Sequence, residues 1–309
     1  MRIAIFGGTG SVGTVTAVQL AQRGIVVSIL SRRRPVESLH QGITWSQVDV
    51  ADAISVRESL ARMKVDGVVH LAALLQFACE DDPAGAVRIN VDGTLNILEA
   101  CRELKIPRLI FGSSIAVYGE RMDLMRESDP APADLSLYGF SKLFGELLGQ
   151  RYRGSSGVDF VALRYSGVFG PGVATSPGMA QVRQRIFDSA RGEDVTVDGA
   201  SGKERIHLTH VNDAAKATCA ALLADRPAHS VYNVAGPADS YISLQDLHNI
   251  VRDVVPNSGC VRWKGSGRSA GPVDTTRISE DFGWVPTYSL RDGIRDVLMR
   301  AHQVSSAFV

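Results

Sequence analysis

The stretch Arg2-Ile-Ala-Ile-Phe6-Gly7-Gly-Thr-Gly10-Ser-Val-Gly13 decides the fold of this chain. It begins with a short apolar run typical of a buried strand and ends where a helical pattern starts. The first glycine permits a tight turn, the second lets a pyrophosphate approach the backbone, and the third lets the helix pack on the strand. An ordinary glycine loop is the alternative, but the strand–turn–helix context favours a dinucleotide. We predict that the phosphates bind at Gly7, Gly10, Ser11, Val12 and Gly13.

Strands and helices continue to alternate after this turn. The apolar runs 25–30, 43–48, 67–71, 109–113 and 160–165 predict strands, and the segments 14–23, 54–63, 91–104 and 135–153 predict helices. Such alternation is typical of an α/β fold with a doubly wound parallel Rossmann sheet. Beyond Pro171 glycines, prolines and loops predict a smaller C-terminal substrate-binding lobe. We expect a dinucleotide-binding domain at 1–172, to which 205–236 returns, and a substrate-binding lobe at 173–204 and 237–309.

Composition excludes several classes of function. The 309 residues hold 33 Lys+Arg and 33 Asp+Glu, so no net field attracts nucleic acid or an anionic membrane. The four cysteines form no Cys-x-x-Cys pair, and no apolar run approaches the roughly 18 residues of a membrane span. The apolar start is too short for a signal peptide. We expect a cytoplasmic protein with a small-molecule substrate, no nucleic-acid or membrane partner and no metal; His207 and His210 are predicted to be structural.

The end of the second predicted strand indicates the cofactor. NAD sites place an Asp or Glu there for the ribose hydroxyls, but this chain has Ser31-Arg32-Arg33-Arg34. A guanidinium pairs bidentately with phosphate oxygens and so suits the 2′-phosphate of NADP. We predict NADP, with NAD possible, and Ser31, Arg32 and Arg33 as contacts. The alternative is a solvated basic loop.

Tyr138-Gly-Phe-Ser-Lys142 places a phenol and an ammonium on one helix face. A phenol normally ionises near pH 10, and a neighbouring cation favours the phenolate, so the pair suits acid/base work at a C–O–H group. This spacing often arises by chance. The glycine-rich N-terminus and the pair Ser113-Ser114 strengthen the functional interpretation, as does the scarcity of lysine, with six against 27 arginines.

The ordered set of motifs resembles the extended short-chain dehydrogenase/reductases, the group that contains NAD(P)-dependent sugar epimerases and dehydratases. The resemblance covers nearly the whole chain. Besides the glycine turn and the Tyr-Lys pair, it rests on Asp49-Val50, His70-Leu-Ala-Ala73, Asn90-Val-Asp-Gly-Thr-Leu-Asn96, Ser113-Ser-Ile-Ala-Val-Tyr-Gly119, Leu163-Arg-Tyr-Ser-Gly-Val-Phe-Gly-Pro-Gly172, Arg205-Ile-His-Leu-Thr-His-Val-Asn-Asp213, Tyr232-Asn-Val-Ala-Gly236 and Phe282-Gly-Trp-Val-Pro286.

The resemblance implies roles for individual residues. Tyr138 is expected to be the general acid/base, Lys142 to hold the nicotinamide ribose and lower the tyrosine pKa, and Ser114 to orient the substrate oxygen. Further cofactor contacts are expected at Asp49, Val50, Leu71, Ala72, Ala73 and Tyr165. Tyr165 is equally well explained as a core aromatic. Substrate contacts are expected at Gln76, Phe77, Ser114, Tyr118 and Arg205, although Tyr118 equally suits packing.

Two departures from the family pattern bear on the substrate. Gly167 stands where many sugar-nucleotide members have Asn, and Arg262 and Arg268 do not match the usual second phosphate contact, whereas Arg205 does match the first. We therefore predict hydride transfer at a C–O carbon of a sugar or sugar nucleotide by an epimerase or oxidoreductase. The alternatives are an NADP-dependent reductase or dehydrogenase of a smaller keto or hydroxy compound and a non-catalytic NADP(H) sensor. Ile115 and Ala116 argue against dehydration, and the resemblance implies a homodimer through a helix pair that includes 135–153.

Overall fold

The glycine-rich turn joins the first strand of a large parallel sheet to a helix. The computed structural model describes residues 1–35, 39–171 and 179–306. The strands are β1 (Arg2–Phe6), β2 (Val26–Ser31), β3 (Ile43–Gln47), β4 (Gly67–His70), β5 (Arg108–Ser114), β6 (Asp159–Tyr165), β7 (Gly167–Phe169), β8 (Val195–Asp198), β9 (Arg205–His210), β10 (Val231–Val234), β11 (Tyr241–Ser243) and β12 (Val261–Lys264).

Helices connect and cover these strands. They are α1 (Ser11–Ala21), α2 (Ala53–Met63), α3 (Gln76–Asp81), α4 (Pro83–Ala86), α5 (Gly93–Glu103), α6 (Leu137–Ser155), α7 (Met179–Asp188), α8 (Val211–Leu223), α9 (Leu244–Val254), α10 (Thr276–Phe282) and α11 (Leu290–Ser306). A π-helical turn, Val87–Asp92, joins α4 to α5. The first helix begins at Ser11, directly after Gly10, and not at residue 14 as its apolar pattern suggests.

The large sheet confirms the predicted doubly wound architecture. Within the described residues it has seven strands in the order β10-β6-β5-β4-β1-β2-β3, and every neighbouring pair is parallel. In its centre Ile5 lies opposite Ile29 on one side and opposite Val69 on the other. The carboxyl ends of all these strands therefore meet at one edge of the sheet, which is where ligands bind in open α/β folds.

Two hydrophobic layers enclose this sheet. The layer containing α1 and α8 includes the fully buried side chains of Leu20, Ala214 and Ala217. The opposite layer includes Val56 and Ile97, from α2 and α5. Burial on both faces explains why the strands are continuous apolar runs and do not alternate.

A third core lies in the C-terminal half of the chain. Phe169, Ile186, Leu208 and Leu247 are buried together where α7, α9 and α11 pack on a small sheet of order β11-β9-β7. In contrast, β10 pairs with β6 in the large sheet. The predicted boundary at residue 172 falls outside the described residues, so the division into a dinucleotide-binding domain and a lobe stays a prediction.

Candidate functional site

The glycine turn forms a cradle whose walls leave no room for side chains. Gly7 has a φ of 76°, and a Cβ there would lie 2.5 Å from the backbone nitrogen of Ala72. A Cβ on Gly13 would lie 2.5 Å from the carbonyl oxygen of Gly7. Gly10 is exposed and caps α1 without any side-chain hydrogen bond, and no acidic residue lies in the first turn. Ser11 and Val12 form that turn, so the cradle fits an anionic phosphate group.

The other residues predicted to contact the cofactor line the same edge. Leu71, Ala72 and Ala73 directly follow β4, and the Leu71 N–H donates to the carbonyl of Phe6 at 2.8 Å. Asp49 lies exposed beyond β3, where its Oδ1 accepts the N–H of Ala51 at 3.0 Å. Its neighbour Val50 is buried. These positions agree with a groove along the carboxyl ends of β1, β3 and β4.

The basic segment after β2 is open to ligands. Arg32, Arg33 and Arg34 are exposed, and within the described ranges none of them forms an ion pair. The Ser31 hydroxyl holds the segment by donating to the Arg33 carbonyl at 2.7 Å and accepting from Trp45 Nε1 at 2.9 Å. No acidic side chain ends β2. This arrangement leaves the guanidinium groups available to an anion.

The three predicted catalytic side chains, those of Ser114, Tyr138 and Lys142, lie near the end of β5. Ser114 is the last residue of that strand, and Tyr138 lies in the first turn of α6, which begins after the N-cap Ser136. The Tyr138 phenol is hydrogen-bonded to Ser114. One turn further, buried Lys142 donates from Nζ to the carbonyl oxygen of Gly112 at 2.6 Å. The trio therefore combines a proton donor, a hydroxyl and a cation.

The pKa values of this trio differ from the expectation. Burial raises the pKa of Tyr138 to about 12, although its hydrogen bond with Ser114 opposes the shift. Burial also lowers the pKa of Lys142 to about 8. The Lys142 nitrogen lies 5.6 Å from the centre of the tyrosine ring and is bound to a carbonyl. The cost of burying a phenolate thus exceeds the effect of the cation, and near neutral pH the tyrosine holds its proton.

Asn90 is a member of the site that sequence reasoning quoted but gave no role. Its Oδ1 accepts the Leu74 N–H at 2.8 Å, and its Nδ2 donates to the Leu74 carbonyl and to Ser141 Oγ, each at 3.0 Å. The Ser141 hydroxyl in turn donates to the Tyr138 carbonyl at 2.8 Å. Asn90 lies in the π-helical turn, a geometry often found at functional sites and without a sequence signature. It ties the loop after β4 to α6.

Two predicted contact residues lie in the interior instead of lining the site. Tyr118 is 2% exposed, and its hydroxyl donates to Asn233 Oδ1 at 2.8 Å. Tyr165 packs among core residues, and its hydroxyl is hydrogen-bonded to Thr218 at 2.7 Å. This burial favours the packing alternative for Tyr118 and the core alternative for Tyr165, and the contacts with substrate and cofactor stay predictions. Gln76 and Phe77 are exposed on α3, so they remain available to a substrate.

Arg205 is the predicted anion contact with free donor capacity. Its guanidinium lies 4.4 Å from the centre of the Tyr241 ring and donates from Nη2 to the Tyr241 carbonyl at 2.9 Å, while its buried Nε has no partner. Arg268 is mostly exposed and pairs with Glu120 at 2.5 Å. Arg262 is also exposed. Of these three arginines, Arg205 lies on β9, and one of its guanidinium nitrogens already donates to a backbone carbonyl.

The two histidines of β9 make structural contacts. His207 bridges the Gly236 carbonyl and the Val273 N–H, at 3.0 and 3.1 Å. His210 stacks on Tyr288 with the ring centres 4.0 Å apart. Over the described ranges, no group of three or more His, Cys, Asp and Glu is arranged to hold a metal ion. No helix in those ranges has both the length and the apolar character required to cross a membrane.

Comparison with known proteins identifies relatives along the whole chain. A model of the NAD dependent epimerase/dehydratase family matches residues 3–235. The UDP-glucose 4-epimerase of Lacticaseibacillus casei is 28% identical over 329 aligned residues, which cover 98% of this chain and 97% of the relative. The D-erythronate dehydrogenase of Cupriavidus necator is 32% identical over 200 residues, covering 61% of this chain and 60% of the relative.

A solved structure with bound ligands is similar throughout. MoeE5 in complex with UDP-glucose and NAD matches with a TM-score of 0.86 at 25% identity, over 99% of this chain and 100% of that chain. The likeness covers both the large sheet and the C-terminal half.

Proposed function

The chain belongs to the NAD-dependent epimerase/dehydratase family and is therefore an enzyme, and on that premise we propose that it moves a hydride at a C–O carbon of a sugar nucleotide. The observation that carries the proposal is the meeting of Ser114, Tyr138 and Lys142 at the carboxyl end of β5. The glycine cradle, which follows β1, lies at the same edge, and β4 is the strand between them. Proton transfer and dinucleotide binding are thereby adjacent.

The chain's own residues supply the proton chemistry. Tyr138 is partly exposed and holds its proton near neutral pH, so it is the acid for an alkoxide and, once ionised, the base for a hydroxyl. Ser114 orients the same substrate oxygen through its hydroxyl. Lys142 keeps a positive charge beside the ring, which favours the phenolate during turnover. A bound nicotinamide supplies the hydride acceptor or donor.

The cofactor grip follows from the cradle and the basic segment. Gly7, Gly10 and Gly13 leave backbone open to a pyrophosphate, and MoeE5 is a relative with bound NAD. We propose that Arg32 and Arg33 add a preference for the 2′-phosphate of NADP. Titration of NADP and NAD into Arg32→Ala and Arg33→Ala tests this preference, with a loss of NADP affinity and an unchanged NAD affinity as the expected result. Equal changes for both cofactors contradict it.

A sugar nucleotide is the substrate class that the relatives and Arg205 favour. The alignment with the UDP-glucose 4-epimerase covers almost all of this chain and almost all of the relative. The structure of MoeE5 contains UDP-glucose. Arg205 lies on β9 with its guanidinium against Tyr241, and we propose that this guanidinium pairs with a diphosphate. The rival is a smaller hydroxy acid, which the D-erythronate dehydrogenase and Gly167 favour. UDP binding that weakens in Arg205→Ala supports the first class, and binding of D-erythronate without UDP binding supports the second.

We also propose a homodimer through α5 and α6. Phe140, Phe144 and Leu147 repeat at intervals of four and three residues on α6 and are 48%, 45% and 57% exposed. Leu95 on the adjacent α5 is 38% exposed. Large apolar side chains grouped on one surface are typical of an interface. A second copy of this chain would bury them by placing the same two helices against each other.

The proposed mechanism is tested by removing one hydroxyl group. Tyr138→Phe is expected to lower turnover by about 10²–10⁴-fold with UDP-glucose, UDP-glucuronate or D-erythronate, whichever is turned over, while cofactor affinity stays unchanged. The matched control is Tyr152→Phe on the same helix, where the hydroxyl donates to Glu99. Unchanged turnover in Tyr138→Phe contradicts the assignment of Tyr138.

A further inference from the structure

A buried ion pair lies directly behind the proposed catalytic residues. Glu146 is 1% exposed and Arg164 is 6% exposed. The guanidinium donates from Nε to Glu146 Oε1 at 2.9 Å and from Nη2 to Oε2 at 2.6 Å, a bidentate arrangement. The free energy needed to remove two charges from water offsets much of their mutual attraction. A contribution to stability therefore does not by itself explain why this ion pair is buried here.

Glu146 also contacts the strand that ends at the catalytic serine. The Ser113 hydroxyl donates to Glu146 Oε1 at 2.5 Å. Ser113 precedes Ser114, so this bond fixes the last residues of β5 against α6. The same carboxylate therefore connects three elements: α6 itself, β5 through Ser113, and β6 through Arg164.

Lys142 lies on the same helix as this carboxylate, although its own hydrogen bond is to the Gly112 carbonyl. It lies four residues before Glu146 on α6, so the two side chains share one face of the helix. The titratable groups that face Lys142 are His70 from β4, Cys79 from α3, and Tyr138 and Glu146 from α6. Burial lowers the pKa of His70 to about 3 and raises the pKa values of Cys79 and Tyr138, which leaves these three neutral near pH 7. Cys79 and Glu146 both oppose the effect of burial on the Lys142 pKa, and because burial raises the pKa of the Cys79 thiol, Glu146 is the one that carries a negative charge near pH 7.

We propose that Glu146 is a positioning residue, whose carboxylate keeps Lys142 in its ammonium form and holds the end of β5 in place through Ser113. Arg164 pairs with that carboxylate through two hydrogen bonds and so directs it. The inference rests on the proposed role of Lys142 as the cation beside Tyr138. It adds that the cation depends on a carboxylate one helical turn away.

The protonation of Lys142 is measurable without any substrate. The chain has six lysines, so protein labelled with ¹³C at lysine Cε gives six sets of NMR signals, and Lys142→Arg identifies the signal of Lys142. In Glu146→Gln the Lys142 pKa is expected to fall by about one pH unit or more, because an opposite charge at short range is lost. Part of this fall comes from the Arg164 charge that the variant leaves unpaired, so a variant without that charge is needed beside it.

Two further variants keep the test decisive. Asp159→Asn breaks an ion pair with Arg108, 2.7 Å long, at the opposite end of the same strands, and is expected to leave the Lys142 pKa unchanged. If Glu146→Gln does not fold because Arg164 loses its partner, Glu146→Gln with Arg164→Gln replaces both charges and is expected to show a smaller fall in the Lys142 pKa, because the unpaired Arg164 charge is also gone. A Lys142 pKa equal to that of the unaltered protein in a folded variant overturns the proposal. Loss of turnover in Tyr138→Phe is a separate result and does not enter this measurement.

Discussion

Two glycines of α6 provide a matched pair of substitutions with opposite expected effects. A Cβ on Gly149 would lie 2.2 Å from two ring atoms of Phe160 and 2.4 Å from a third. Phe160 is fully buried, and its ring stacks on that of Phe111 at 5.9 Å. Gly154, five residues later, is exposed, and a Cβ there would meet nothing within 4 Å.

The magnitude follows from these distances. Ordinary contacts begin near 3.4 Å, so alanine at Gly149 requires a displacement of about 1.2 Å (3.4 − 2.2) between α6 and a ring that cannot turn away. Overpacking of this kind costs about 1–3 kcal/mol, and we take the upper end because three atoms overlap. Alanine recovers about 1 kcal/mol through its higher helix propensity. We expect Gly149→Ala to lose about 2 kcal/mol of unfolding free energy, and Gly154→Ala to gain about 0.5–1 kcal/mol.

Urea denaturation followed by far-UV circular dichroism measures both free energies of unfolding. The two variants make the same chemical change in the same helix, so their difference, about 3 kcal/mol, isolates the packing against β6. Equal stabilities for the two variants, or a Gly149→Ala protein at least as stable as the unaltered one, refute the argument that the close approach of α6 to β6 requires glycine at position 149.

Three further predictions concern the proposed dimer interface, the stability of the protein in acid, and the hydrogen bonds of Asn90 with the loop after β4. Phe144→Asp is expected to convert a dimer to a monomer in sedimentation velocity, whereas Leu223→Asp, a comparably exposed site on α8, leaves the mass unchanged. Hydrogen bonds from Ser201 and the Gly267 N–H overcome the effect of burial and hold the pKa of Glu204 at about 2, below its ordinary 4.5. Glu204→Gln is therefore expected to lower the free energy of unfolding, by the full amount above pH 4.5. The difference in this free energy between the two proteins is lost as the pH falls to about 2, and urea titrations at several pH values measure it. Asn90→Leu leaves the partly buried backbone groups of Leu74 without their partner and is expected to cost about 1–3 kcal/mol and to weaken cofactor binding measured by calorimetry. An unchanged affinity contradicts a role of Asn90 in placing the loop after β4.

The fold and the cofactor edge could be predicted from the sequence because their determinants are local. The apolar runs and the helical segments between them differ in period, and that difference alone predicts a parallel sheet with crossovers. Gly13, for example, must lack a Cβ because the carbonyl oxygen of Gly7, in the same turn, would lie 2.5 Å from it. The Tyr138–Lys142 spacing likewise follows from one turn of helix.

The surroundings of these residues were decided only by the tertiary structure. Burial raises the pKa of Tyr138 and lowers the pKa of Lys142. For the tyrosine this is opposite to the direction that the neighbouring lysine alone predicts. Contacts across 115 residues took Tyr118 into the interior, and contacts across 53 residues did the same for Tyr165. The pairing of Glu146 with Arg164 joins a helix to a strand in a way that no local period encodes. Desolvation and charge pairing depend on which distant segments pack together. Local patterns in the sequence do not show which segments those are, so these effects appear only in the tertiary structure.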